Sequence, residues 1–104
     1  MTAPPGSTTA RLDVVVRGRV QGVGYRYFAL ATATSLGLTG WVANQGDGSV
    51  RCVAEGARPA LEQLASELAR GPFGARIDTV EAVWGIPAGT FTRFEVRSGS
   101  HSGD

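Results

Sequence analysis

Residues 18–26 read Gly18-Arg19-Val20-Gln21-Gly22-Val23-Gly24-Tyr25-Arg26. On the N-terminal side, Leu12, Val14 and Val16 alternate with Asp13 and Arg17, the period of a strand with one buried face. On the C-terminal side, apolar or small residues fall at Tyr25, Phe28, Ala29, Thr32 and Leu36. That is helical spacing, and Gly37 suits the stop. A strand, a glycine-rich turn and a helix therefore follow one another. Glycines in the turn reach backbone conformations that side chains disfavour, so its amides can turn inward. Inward amides beside a helix start make an anion site. Arg26 adds a planar fork of donors suited to a phosphoryl group.

Outward from this stretch the hydrophobic period keeps switching. Leu38 to Gln45 reads as a second strand, Asp47-Gly48 as a hairpin turn, and Ser49 to Glu55 as a third strand with Val50, Cys52 and Ala54 on one face. Pro59 suits the first turn of a second helix, whose stripe is Leu61, Leu64, Ala65 and Leu68 and whose end is Gly71-Pro72. A fourth strand falls within Ala75 to Trp84, and Thr92, Phe94 and Val96 alternate in a last one. The order is read as β-α-β-β-α-β. This is an α+β, ferredoxin-like two-layer sandwich with two helices on one face of an antiparallel sheet. Residues 1–10 and 98–104 are rich in Pro, Ser, Thr and Gly and are expected to be disordered tails around one domain over 11–97.

Composition removes several function classes. The ten basic residues are all Arg. Without Lys there is no P-loop lysine for a nucleotide and no Schiff-base lysine. The glycines at 18, 22 and 24 also miss the Gly-x-Gly-x-x-Gly spacing of a dinucleotide site. A single cysteine, Cys52, forms no internal disulfide, and the single histidine, His101, lies in the C-terminal tail. That inventory is too poor for a zinc site. Net charge is +1, so no general attraction to nucleic acid or anionic membrane is expected. No signal peptide or spanning segment is read, and a cytoplasmic protein is the expectation.

A second stretch carries more. Residues 40–56 read Gly40-Trp41-Val42-Ala43-Asn44-Gln45-Gly46-Asp47-Gly48-Ser49-Val50-Arg51-Cys52-Val53-Ala54-Glu55-Gly56. With the first stretch it resembles the acylphosphatase family. Val16, Gly18, Val20-Gln21-Gly22-Val23, Tyr25 and Arg26 match the family's first signature, with Tyr25 where Phe is commoner. Gly40, Trp41, Val42, Asn44, Gly48, Val50 and Gly56 match its second. The likeness runs from about Leu12 to Val96. It implies that the backbone amides of Gln21, Gly22, Val23, Gly24, Tyr25 and Arg26 cradle a phosphate. It implies further that the Arg26 side chain pairs with the phosphate oxygens and that Asn44 holds the attacking water. The implied substrate is a small-molecule acyl phosphate, hydrolysed to a carboxylate and inorganic phosphate with no metal or cofactor. A monomer is expected.

The remaining polar residues have plainer readings. Arg17, Arg19, Arg51, Arg93 and Arg97 are expected to be solvated. Tyr25 is read as a packing residue, Cys52 as a buried thiol, Asp47 as a turn residue rather than a base, and Trp41 as packing or lining the pocket rim. Two other functions share the fold. One is a carbamoyl-phosphate-binding module, which the resemblance associates with longer chains bearing Cys-rich zinc motifs. The other is an RNA-binding domain, but that module displays strand aromatics that Ser49 to Glu55 lacks.

Overall fold

A computed structural model describes residues 8–98. The elements are β1 (Thr9–Arg19), α1 (Tyr25–Ser35), β2 (Thr39–Asn44), β3 (Val50–Ala57), α2 (Arg58–Arg70), β4 (Arg76–Gly85) and β5 (Phe94–Arg97). The strands form one sheet in the order β4-β1-β3-β2-β5. Both helices cover one face, as the ferredoxin-like reading requires.

The alternation read in the sequence builds this arrangement. Ala10, Leu12, Val14 and Val16 of β1 are buried, as are Val50, Cys52 and Ala54 opposite them on β3. Leu61, Leu64 and Leu68 of α2 complete the layer from above. Truncating one of these leucines to Ala costs roughly 2–5 kcal/mol by cavity formation. Pro59 sits in the first turn of α2, and Gly71 follows its end at φ 71°.

The structure corrects or sharpens four expectations. The sheet is not wholly antiparallel: the last strand adds a fifth member, β5, which pairs parallel with β2 from Gly40↔Phe94 to Ala43↔Arg97. Second, β1 opens at Thr9, ahead of the expected domain start. Ala10 pairs with Gly56 and is buried, so a small apolar residue there extends the ladder. Residues 1–7 of the expected N-terminal tail, and 99–104 of the C-terminal one with His101, lie outside the described residues. Third, the fully buried face of α1 is Tyr25, Ala29 and Ala33, a strict four-residue row, while Phe28, Thr32 and Leu36 lie at its margin. Fourth, several arginines are paired. Arg17 bridges Asp47 at 2.8 Å and Glu81 at 3.3 Å, and Arg51 binds both carboxylate oxygens of Asp13 at 3.0 and 2.6 Å.

Candidate active site

The site begins where β1 ends. At Gly18 the β1–β4 register shifts, and a Cβ there would lie 2.1 Å from the Arg76 carbonyl oxygen. Only glycine lets β4 approach so closely, and the chain then leaves the sheet. Val20 is buried and anchors the loop from below. Gly22 and Gly24 follow with φ of 76° and 77°. A Cβ at either would meet nothing within 4 Å, so their requirement for glycine is conformational rather than steric.

Gly24 is the N-cap of α1, in a left-handed conformation and with no side-chain cap. The first turn of α1 contains no acidic residue. The helix ladder starts with Phe28 N–H donating to the Gly24 carbonyl at 3.0 Å, so the Tyr25 amide lies ahead of it. The positive end of α1 is therefore open to an anion.

Asn44 arrives from the other direction. It is the last residue of β2, opposite Val50, and shares the helix-covered face with Val42. It is 8% exposed. The hairpin after it is closed by Gln45 N–H to Ser49 O at 2.8 Å and Gly48 N–H to Gln45 O at 3.1 Å, with Gly48 at φ 93°. The Gln21 side chain stitches the loop to this hairpin. Its Nε2 donates to the carbonyls of Gln45 (2.8 Å) and Ser49 (2.9 Å), so the two halves hold a fixed relation. In the sequence Gln21 offered only a loop amide. Its side chain's task depends on a contact across the fold.

The two halves frame a cavity of about 100 Å³, lined by Val20, Gly22, Gly24, Tyr25, Arg26, Tyr27 and Asn44. Arg26 and Asn44 thus come together with most of the expected cradle. Gln21 and Val23 are not among the lining residues: the first turns to the hairpin and the second packs on the core. Trp41 does not line this cavity but shares a neighbouring one of about 260 Å³ with Asn44, Gln45, Arg51 and Arg97. Trp41 and Asn44 lie three positions apart along a strand, which puts their side chains on opposite faces. The Trp41 ring lies near the Arg51 and Arg97 guanidiniums, at 5.5 and 5.2 Å from the centroid. Tyr27, which the sequence reading passed over, does line the cavity and is 66% exposed.

The titratable groups nearby are ill suited to proton transfer. Tyr25 is buried and donates its hydroxyl to the Leu68 carbonyl at 2.6 Å. Burial raises its pKa well above the phenol range. Burial also pushes the Cys52 thiol up to about 12. Asp47 moves the other way. Its carboxylate accepts from the Ser49 hydroxyl (2.5 Å), Arg17 (2.8 Å) and the Ser49 amide (3.0 Å), which hold its pKa well below the usual carboxylate range. It is a weak base. Among the described residues, no three of His, Cys, Asp and Glu gather as metal ligands, and no helix is long and apolar enough to cross a membrane. On the helix-free face, β1 and β3 carry Arg11, Asp13, Val15, Arg51, Val53 and Glu55, none of them aromatic; the aromatic beside them is Trp41 of β2, its ring next to the Arg51 and Arg97 guanidiniums.

A ferredoxin-like sandwich whose first strand-to-helix turn frames an arginine, an amide side chain and open backbone defines a small phosphoryl-handling α+β protein. The acylphosphatase family model matches residues 12–96, and the chain belongs to that family. It is 47% identical over 90 residues to an acylphosphatase of Salinibacter ruber, covering 86% of this chain and 95% of that one. It is 52% identical over 79 residues to one of Thermus thermophilus, covering 76% and 90%. The solved structure of an acylphosphatase from Bacillus subtilis matches with a TM-score of 0.82 at 32% identity, covering 85% and 98%. Membership assigns the chain hydrolase activity of the acylphosphatase type.

Proposed function

We propose that this protein hydrolyses carboxyl-phosphate mixed anhydrides without a metal ion. In this reading Arg26 and the loop amides bind the phosphoryl group and Asn44 positions the attacking water. The observation that carries it is the single cavity lined by Arg26, Asn44 and the backbone of Gly22 and Gly24.

The chemistry asks for little else. A carboxylate is a good leaving group, so strong general-acid catalysis is dispensable. Positioning and stabilisation of charge on the transferring phosphoryl group matter most. A guanidinium and N–H donors supply both. An amide side chain orients water but does not deprotonate it. The water oxygen bonds to phosphorus, and the bond from phosphorus to the acyl oxygen breaks. Its electron pair leaves with the carboxylate. The water's proton passes to a phosphoryl oxygen of the substrate itself.

Benzoyl phosphate hydrolysis in the presence of EDTA tests this reading. Full activity with the chelator is expected, with benzoate and inorganic phosphate as products. Loss of activity that returns on adding a divalent cation contradicts the metal-free route.

A further inference from the structure

We propose that Tyr27 is the contact for the acyl part of the substrate and biases the enzyme toward aromatic acyl phosphates. The inference rests on the reading above, in which the cavity takes the phosphoryl group.

Size comes first. The cavity is about 100 Å³. A benzene ring occupies an apolar cavity of ~150 Å³. A phosphoryl group and a water leave no room for an acyl group, which must stand at the mouth. Of the residues lining the cavity, Val20 and Tyr25 are buried and Asn44 nearly so, while Gly22 and Gly24 have no side chain. A Cβ on either glycine would meet nothing within 4 Å, so the loop leaves the approach unobstructed. Tyr27 is different. Among the described residues the large apolar side chains left exposed are Tyr27, Phe73, Val83 and Ile86, and of these only Tyr27 lines this cavity.

Its chemistry fits the same task. A tyrosine ring presents a wide apolar face at little cost in side-chain freedom, and aromatic partners gain beyond simple area burial. It follows Arg26 directly, in the first turn of α1, so the side chain at the mouth and the one pairing with phosphate share a rigid support. Trp41, the other aromatic near Asn44 in sequence, shares a neighbouring cavity of about 260 Å³ with Asn44, Arg51 and Arg97, but does not line the one that Arg26 lines.

The test compares kcat/KM for benzoyl phosphate and acetyl phosphate in the wild type, Tyr27→Ala and Tyr27→Phe. The benzoyl-to-acetyl ratio should fall by about threefold to tenfold in Tyr27→Ala, the range of an aromatic pair converted to rate. It should stay within twofold in Tyr27→Phe, which keeps the ring. Tyr27 is exposed on a helix and Ala is a good helix former, so both variants are expected to fold, as far-ultraviolet circular dichroism will register. An unchanged ratio in Tyr27→Ala, or equal losses on both substrates, overturns the proposal. Failure of the wild type to hydrolyse either substrate overturns the underlying function as well, and is recognised before any variant is made.

Discussion

Arg26 and Asn44 enter one cavity from different elements, the first from the opening turn of α1 and the second from the last position of β2. Their chemistry predicts different kinetic signatures. Charge-assisted hydrogen bonds contribute ~1.5–3 kcal/mol each. Arg26→Ala should therefore lower kcat/KM by about 10-fold to 100-fold or more, with a raised KM and weaker inhibition by inorganic phosphate. Asn44→Ala leaves the proposed phosphate donors in place. It should lower kcat by about 100-fold, the scale of a misplaced nucleophile, with KM little changed. Steady-state kinetics on benzoyl phosphate separate the two, and full activity in Asn44→Ala contradicts its assignment to water. The same residues predict a rate nearly flat from pH 5 to 8, because neither an amide nor a guanidinium changes protonation there. The neighbouring groups do not disturb this. Asp47 is held ionised by Ser49 and Arg17, and Tyr25 and Cys52 are held neutral by burial. A bell centred near neutrality contradicts the substrate-assisted proton transfer.

At the scale of elements, glycines set where strands and loop can lie, and they do so for two separable reasons. Gly22 needs a left-handed backbone but has open space around it. Gly40, at φ 138°, is packed so tightly that a Cβ would sit 1.9 Å from the Val53 carbonyl oxygen. Gly22→Ala should cost ~1–2 kcal/mol of strain while reorienting the loop amides of the proposed phosphate cradle, so activity should fall more than stability. Gly40→Ala forces β3 away from β2 and should cost about 3 kcal/mol or more. Urea denaturation ranks the two, and the reverse order contradicts this division. Much at this scale was legible in the sequence. The alternation of Leu12, Val14 and Val16, the turn at Gly22 and Gly24, and the leucine stripe of α2 are local patterns with local causes. Strand parity also separates Trp41 from Asn44, although that reading was not drawn from the sequence. Three features were not legible, because each depends on residues distant in the chain. They are the parallel docking of β5, the bridge from Gln21 to the hairpin, and the pairing of Arg51 with Asp13. Tyr27 was missed for another reason: an exposed side chain contributes nothing to a burial period.

Across the whole molecule, one connection has to span the sheet. β4 and β5 occupy opposite edges, and residues 86–93 join them over the face that the helices leave uncovered. Five strands at ~4.8 Å spacing put those edges ~19 Å apart, so the segment needs support midway. Glu55 of β3 supplies it. Its side chain is 5% exposed, and it accepts from the amides of Ala88 (2.8 Å) and Gly89 (3.1 Å) and from Arg11 (3.0 Å). Arg11 in turn lies over the Phe91 ring, 5.7 Å from its centroid. Burial works against the Glu55 charge, but the two amides and Arg11 outweigh it and lower its pKa from the ordinary 4.5. The sign follows directly. The unfolded chain takes up a proton at Glu55 at a higher pH than the folded chain does. Stability from this carboxylate is therefore full above about 4.5 and is lost as pH falls through the lower folded value. Glu55→Gln removes the charge at every pH and turns an amide toward backbone donors. It should cost ~1.5–3 kcal/mol at pH 7, or roughly 6–20 °C in Tm. Its stability should also decline less steeply than the wild type's between pH 5 and 3. Some slope will remain, because Asp47 is held ionised with the same sign. Thermal melts of both proteins across that range measure the difference. A variant with the neutral stability and acid slope of the wild type rules out Glu55 as the anchor of the crossing segment.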